Sequence, residues 1–355
     1  WEKIRTWNAG VDFGLFNNRL TGSFDYYIRK TDDMVGPSEK LPVVLGTAVP
    51  SSNNTNLKTF GWELELMWKD RLNNGLNYSA RFTLADSRTK ITRYSNPSGL
   101  IDGFYAGKYV GEIWGYETIG IAQSDQEMAE HIGRLINGGQ SNLGQDWKAG
   151  DIMYKDLNED GKIDAGSRTL QDHGDLKRIG NSTPRYNVGL ELAADWKGFD
   201  IRMFWQGTLK RDYFQGSYYF WGANGRQGPW FSTALKGHDD YFRNDEASPL
   251  GTNLNSYYPR PLFNTDKNQQ SQTKYLQDAS YLRLKNLQIG YSLLHNIVQK
   301  MGMQHLRIFA SGENLFTITS LIDFFDPESI EGGSWGHGNV YPLSRTFSFG
   351  LNVTF

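Results

Sequence analysis

Cysteine is absent from this sequence of 355 residues. The absence excludes a disulfide framework and a thiolate metal site, and it suits a chain that crosses an oxidising compartment unfolded. Long apolar runs are also lacking, since the best one, from Leu41 to Leu45, contains Pro42. A membrane-spanning helix needs about 20 nearly uninterrupted apolar residues, so the sequence excludes a helical membrane protein.

The sequence has no large excess of charge of either sign, and its formal net charge is -2. Lys and Arg residues are scattered along the sequence, so we expect no basic face for nucleic acid and do not expect nucleic acid as a partner. The histidines show no metal-ligand spacing, and no Ser or Cys nucleophile motif is present, so we expect no enzymatic activity. The histidines are His131, His173, His238, His295, His305 and His337.

Aromatic residues are abundant, at 14% of the chain, although the mean hydropathy is only -0.57. Apolar side chains recur at every second position in many segments, which is the period that a β-strand imposes. From Phe60 to Trp68 the apolar residues alternate with polar ones that include Glu63 and Glu65. One strand changes phase near Lys285 and Asn286, which predicts a β-bulge.

The predicted connections alternate between short and long. Tight turns are expected at 17–18, 70–75, 197–198 and, somewhat longer, 295–304, whereas long segments are expected at 31–57, 86–185, 211–280 and 316–344. Such sided alternation is typical of an outer-membrane barrel, with periplasmic turns and extracellular loops. It predicts about nine strands, and because bacterial barrels have even numbers we expect the remaining strands to come from elsewhere.

Two other interpretations of the alternating strands stay open, a soluble or surface glycan-binding β-protein and a glycan-degrading enzyme. A soluble sandwich has turns every 8 to 12 residues or so, without a long side and a short side. The connection lengths therefore favour an all-β fold, a transmembrane antiparallel β-barrel with long extracellular loops. The N-terminus shows no secretory signal, so we expect the chain to begin within a longer protein.

Several motifs carry a resemblance to a known family. They are GDIMYKDLNEDGKID at 150–164, RIGNSTPRY at 178–186, YLRLKNL at 281–287, GENLF at 312–316 and YPLSRTF at 341–347. In this order they resemble the SusC-like TonB-dependent transporters of Bacteroidetes, and the similarity covers essentially the whole chain. The resemblance implies that residues 1–355 are C-terminal strands of a plugged barrel of about 22 strands in the outer membrane.

The resemblance also implies partners and a function. It implies a SusD-like lipoprotein lid, energy from TonB–ExbB–ExbD, and contact with outer-membrane lipid, the remaining strands and the plug. The plug domain and the N-terminal strands are not expected in this chain, which should not transport alone. The implied function is import of a large nutrient, most often a glycan and alternatively an oligopeptide.

An acidic segment offers oxygen ligands at alternate positions and a glycine at the sixth, as a calcium loop does. The candidate ligands are Asp156, Asn158, Asp160, Asp164 and, through its backbone carbonyl alone, Lys162. The bidentate Glu expected at the twelfth position is replaced by Ser167. A bound Ca²⁺ that braces the loop and an ordinary solvated turn both remain open, and no other cofactor is expected.

Aromatic residues crowd the segment after Arg211. The candidates for a surface that contacts substrate or lid are Tyr218, Tyr219, Phe220, Trp221 and Trp230. Flat aromatic faces can stack on sugar rings or peptide groups, and the alternative is self-packing of the loop. At the C-terminus, Phe355 closes an alternating strand and resembles the aromatic signal read by the barrel assembly machinery.

Overall fold

The computed structural model describes residues 1–37, 46, 51–223, 225, 232, 234–330 and 343–355. The strands are β1 (Lys3–Leu15), β2 (Leu20–Met34), β3 (Thr55–Arg71), β4 (Asn77–Arg93), β5 (Glu112–Tyr116), β6 (Thr118–Ile121), β7 (Ile152–Tyr154), β8 (Leu176–Asn181), β9 (Arg185–Trp196), β10 (Phe199–Lys210), β11 (Asp212–Phe214), β12 (Leu276–Asp278), β13 (Tyr281–Ser292), β14 (His305–Thr319) and β15 (Thr346–Thr354). The helices are α1 (Asp125–Arg134), α2 (Tyr218–Trp221) and α3 (His295–Lys300), with a 3-10 turn at Lys236–Asp239.

One large sheet forms the wall of the molecule. Its nine strands follow the order β1-β2-β3-β4-β9-β10-β13-β14-β15, and every neighbouring pair is antiparallel. The predicted strand number is therefore confirmed. The sheet is open, and within the described ranges β1 and β15 are its two edges.

The two faces of this sheet differ as the alternation predicts. On the apolar face, aromatic side chains of neighbouring strands pack together, for example Phe24 with Trp62 at 6.4 Å between ring centroids. On the polar face, Arg81 donates two hydrogen bonds to Glu65, at 2.8 and 3.0 Å. An exception is Phe204, which pairs with Glu191 on the polar face and is 40% exposed.

The predicted β-bulge is confirmed. Where β13 pairs with β10 and β14, the register shifts between Leu284 and Asn286, and Lys285 has no partner in either ladder. The extra residue restores the phase of the strand, so Leu287 returns to the apolar face together with Leu284.

The short and long connections lie at opposite ends of the sheet. Short ones, at 16–19, 72–76, 197–198 and 293–304, alternate with long ones that follow β2, β4, β10 and β14. Strands β2 and β4 continue to Met34 and Arg93, beyond the expected loop starts at Thr31 and Asp86. Backbone pairing persists there although the apolar alternation has ended. Among the described residues, no helix has both the length and the apolar character needed to cross a bilayer.

Candidate functional site

Three of the long connections pack together at one end of the sheet. We call this unit the loop domain and define it as the described residues of 94–184, 211–280 and 320–330. Its centre is the main hydrophobic cluster of the described residues. Fully buried members include Ile101, Ile152, Tyr154, Ile163, Phe220 and Tyr275. The sequence reading placed these residues in separate loops and did not predict that they share a core.

Three small two-stranded sheets hold the loop domain together, β5 with β8, β6 with β7, and β11 with β12. Ser124 is the N-cap of helix α1, and its hydroxyl accepts a hydrogen bond from the Glu127 amide at 3.1 Å. The Glu127 carboxylate in turn accepts the Gln123 amide at 2.7 Å. These caps satisfy amides that a helix leaves unpaired at its start and so fix the position of α1.

A buried ionic network joins two of the loops. Asp151 is fully buried, and its carboxylate accepts hydrogen bonds from Arg260 at 2.7 and 2.8 Å and from Asn268 at 2.9 Å. Lys267, whose side chain is only 2% exposed, places its ammonium 2.9 Å from the same carboxylate. The Lys267 ammonium also lies 4.6 Å from the centroid of the Trp147 ring.

The network keeps Asp151 charged. Burial alone would raise the pKa of Asp151, but the hydrogen bonds from Arg260, Asn268 and Lys267 outweigh burial and hold that pKa below its usual value. Because the folded pKa is depressed, the stabilisation is present above the unfolded pKa and is lost as the pH falls through the folded pKa. The loop domain is thus held by this network at neutral pH.

The loop after β14 is tied to the polar face of the wall. The guanidinium of Arg283 in β13 is 4% exposed and donates to Asp326 and Glu328, each at 2.7 Å. Lys285, the bulged residue, also contacts Glu328, at 2.9 Å. These pairs hold the loop against the polar face of the sheet. The bulge therefore positions a cation for the loop.

The predicted aromatic surface is divided by the structure. Phe220 and Trp221 are buried in the loop-domain core against Tyr275, so the self-packing alternative describes these two residues. Tyr219 is partly exposed, and Tyr218 begins α2. Trp230 lies outside the described residues. A substrate or lid contact of this segment stays a prediction.

A cavity of about 220 Å³ lies beside the buried aromatic pair. Its lining is largely apolar and includes Trp221, Tyr241, Tyr258, Pro261 and Phe263, with His238 at one wall. Residues between 241 and 263 were missing from the sequence prediction, because they are scattered there and only the fold gathers them. The cavity has the size and the aromatic lining to receive one ring or one side chain of a larger ligand.

A second, wider cavity of about 500 Å³ lies on the polar face of the wall. Acidic side chains line it, namely Asp25, Glu63 and Glu65, and Phe204 projects among polar groups. The residues predicted to face the lumen share this face of the sheet: Glu63, Glu65, Arg81, Glu191, Arg202 and Glu313. This face can offer a ligand both hydrogen-bonding groups and one aromatic contact.

The predicted calcium loop forms a compact turn. Asp156 accepts the Gly161 amide at 2.8 Å, and Asp160 accepts the Lys162 amide at 3.1 Å. The Lys162 ammonium lies 2.6 Å from the carboxylate of Asp164. Across the described ranges, no group of three or more His, Cys, Asp or Glu residues is arranged as a metal site.

One oxygen of the turn remains unsatisfied. Oδ1 of Asp156 is buried and has no hydrogen-bond partner, which is costly for a carboxylate. Burial raises the pKa of neighbouring Asp175, and the charge of Asp156 raises it further. A cation at this turn would give the Asp156 oxygen a partner and would oppose the rise in the pKa of Asp175. Calcium binding stays a prediction, and these two effects are the physical argument for it.

Comparison with known proteins finds similarity to TonB-dependent receptors. No family model matches the chain. The chain is 29% identical to TonB-dependent receptor P3 of Formosa agariphila, over 100% of this chain and 34% of that receptor. It is 27% identical to TonB-dependent receptor SusC of Bacteroides thetaiotaomicron, over 100% of this chain and 32% of that receptor. The resemblance to SusC-like TonB-dependent receptors is confirmed.

The solved structures agree on the fold. The chain superposes on the RagAB peptide transporter with a TM-score of 0.71 and 24% identity, over 100% of this chain and 36% of that one. The large sheet of this chain therefore shares the fold of the barrel wall in such transporters. The chain spans about a third of the length of the relatives it matches.

The buried network generates a stability prediction. Asp151→Ala leaves the buried Lys267 without its counter-ion, so we expect the loop domain to lose about 3–5 kcal/mol. The matched control is Asp102→Ala, because the Asp102–Arg168 pair is 58% and 52% exposed and such pairs contribute at most about 1 kcal/mol. Hydrogen exchange at the Ile152 and Tyr154 amides measures both changes. Equal effects of the two substitutions would contradict the role given to the network.

The calcium prediction is tested on the same domain. In the full-length protein, Ca²⁺ should raise the temperature at which the loop domain unfolds, and EDTA should reverse this rise. Asp160→Ala should abolish the response, because it removes a predicted ligand, whereas Asp245→Ala, on an exposed turn elsewhere, should keep it. An unfolding temperature indifferent to both Ca²⁺ and EDTA would leave the solvated turn as the correct interpretation.

Proposed function

We propose that the protein containing this chain imports a large nutrient across the outer membrane and draws its energy from the TonB complex. The proposal rests above all on the two-faced wall. A single sheet presents Phe24 and Trp62 on one face and Glu65 with Arg81 on the other, as a strand does between lipid and a wet lumen. The similarity to SusC, which extends over all of this chain and 32% of SusC, supports the same proposal.

The loop domain supports import of a large ligand. It stands at the end of the wall that carries the long connections, where a barrel protein meets the cell exterior. Its aromatic cavity, with Tyr241 and Phe263, and the acidic cavity on the polar face of the sheet, with Glu63 and Glu65, would bind separate parts of one extended molecule. A large nutrient has many rings and polar groups that these two cavities would bind. The protein would therefore hold the nutrient before it is transported.

We propose a glycan as the substrate class, with an oligopeptide as the alternative. Sugar rings stack on flat aromatic faces, and their hydroxyls suit carboxylate acceptors such as those of Asp25 and Glu63. The alternative is supported by RagAB, which is described as a peptide transporter. The partially exposed Tyr219 and the cavity-lining Tyr241 are the aromatic residues that we propose to contact substrate.

The partners belong to the whole protein. We propose a SusD-like surface lipoprotein that closes over the loop domain, as the similarity to SusC and RagAB suggests. The remaining strands and a plug would complete the barrel, and TonB–ExbB–ExbD would act through a segment beyond this chain. The C-terminal Phe355 would serve the barrel assembly machinery during insertion.

An uptake assay tests the proposal. Cells that lack the protein and are complemented with the full-length protein should accumulate a labelled oligosaccharide, and deletion of TonB should abolish accumulation. Tyr241→Ala should raise the half-saturating concentration several-fold, whereas Tyr94→Ala, outside the cavity, should not. A labelled oligopeptide taken up in place of the sugar would select the alternative substrate.

Fractionation distinguishes the competing function. The full-length protein should leave the outer membrane only with detergent, because its apolar face is solvated by lipid. A protein released by salt alone that still binds glycan would be a surface glycan-binding protein, and the import proposal would be wrong.

A further inference from the structure

Three lysines lie side by side on the apolar face of the large sheet. The register places Lys30 of β2 opposite Lys58 of β3, and Lys58 opposite Lys90 of β4. We call these three residues the lysine row. Neighbouring strands are only about 4.8 Å apart, and like charges directly opposite each other destabilise a sheet. The row is therefore an unfavourable arrangement unless something negative binds it.

The lysine row lies on the apolar face, since it continues the alternation of each strand. Lys30 follows Ile28 by two residues, and Lys58 precedes Phe60 by two, so both share the face of those apolar side chains. Ile28 is itself paired with Phe60. The lysines thus lie at the border of the apolar surface, at the end of the sheet that carries the long connections.

The charge of the row is not neutralised by the described part of the chain. Two carboxylates share this region of the face, and both are engaged, Asp32 with Arg5 and Asp86 with Arg185. None of the three lysines forms an ion pair with a described residue. Arg88 adds a further cation beside the row, 4.0 Å from the centroid of the Tyr109 ring. Lys90 also lies near this ring, with its ammonium 5.7 Å from the centroid. Among the described residues, the patch is therefore cationic and has no counter-ion.

The height of the row matches a membrane interface. The apolar stretch of β3 runs from Phe60 to Trp68, and at about 3.3 Å per residue, in a strand tilted by about 40°, it spans roughly 20 Å of the membrane. This is comparable to the apolar band of about 25 Å that outer-membrane barrels present to lipid. If the apolar face contacts lipid, Lys58 stands at the level of the headgroups on the side of the long loops.

We propose that the lysine row binds the phosphate groups of lipids in the outer leaflet. This inference rests on the proposed function, because it requires the wall to be in the outer membrane. Ammonium groups form strong charge-assisted hydrogen bonds with phosphate oxygens, and a phosphate between two lysines removes their mutual repulsion. The apolar side chains below the row, such as Phe60 and Trp62, would contact the acyl chains of the same lipid. The bound lipid would tie β2, β3 and β4 together at the base of the loop domain.

Lipid titration followed by native mass spectrometry tests this site. The full-length protein in a neutral detergent is titrated with lipid A that carries its phosphates and with the same lipid A after phosphatase treatment. The variant Lys30→Gln, Lys58→Gln, Lys90→Gln should bind the phosphorylated lipid about a hundredfold more weakly, because each cation near an anionic lipid strengthens binding about fivefold. Binding of the dephosphorylated lipid should not change.

The matched control removes three positive charges away from the row. Arg29 and Lys69 lie on the polar face, and Lys197 lies in a tight turn at the other end of the sheet. The variant Arg29→Gln, Lys69→Gln, Lys197→Gln should bind phosphorylated lipid A as the unaltered protein does. Replacement of the row by three arginines should preserve binding, since the charge is kept.

The unaltered protein gives a test that needs no variant. Its affinity for phosphorylated lipid A should fall with added salt, and its affinity for the dephosphorylated lipid should not. Equal affinity for the two lipids, or displacement of the lipid by inorganic phosphate, would overturn the lipid site. If the uptake assay and the membrane extraction give the results proposed above, such a result refutes only the proposal that the lysine row binds lipid phosphate. A protein that needs no detergent would refute both proposals.

Discussion

A β-strand that lies between lipid and water must pair its backbone hydrogen-bonding groups with neighbouring strands. It must also place apolar side chains on one face and polar side chains on the other. Both conditions are met by the large sheet, in which every inner strand has two hydrogen-bonded neighbours. Within a bilayer no water is available to unpaired backbone groups, so strands are tolerated there only in a continuous ladder that closes into a barrel. All other features of the molecule, from the loop domain to the cavities, are positioned by this ladder.

The two ends of the sheet carry different kinds of connection. At one end the connections are short, and at the other they are long enough to build a domain with a core of its own around Tyr154 and Tyr275. That domain is anchored to the wall by Arg283 and internally by Asp151. The binding surfaces that we propose on these loops are therefore held on a rigid base, which would lower the entropic cost of ordering them when a large ligand binds.

Much of the wall could be predicted from the sequence because its signal is local. Alternation from Phe60 to Trp68 identifies a strand by itself, and the phase change near Lys285 identifies the bulge, which the ladders confirm. The number of strands follows from the same pattern. The full lengths of β2 and β4 could not be predicted from this pattern. Beyond the apolar band their residues are mostly polar, yet the backbones of these residues still pair with the neighbouring strand.

The loop domain could not be predicted because its contacts are distant in sequence. Asp151 and Arg260 are 109 residues apart, and nothing near either residue indicates the other. The aromatic segment was visible as a motif, but the burial of Phe220 and Trp221 depends on Tyr275 in a later stretch. The lysine row is similar, since each lysine is unremarkable in its own strand and only the register joins Lys30, Lys58 and Lys90.

The most direct test of the account measures which face of the wall contacts lipid. This chain has no cysteine, so single cysteines can be placed along β3 from position 61 to 67. They are spin-labelled in the full-length protein in lipid nanodiscs, after any cysteine outside this chain has been replaced by serine. The account predicts that labels at Trp62, Leu64 and Leu66 are relaxed by oxygen, which concentrates in lipid. Labels at Glu63 and Glu65 should be shielded from it. Equal oxygen accessibility at successive positions, or apolar positions shielded from both oxygen and a water-soluble relaxant, would contradict it.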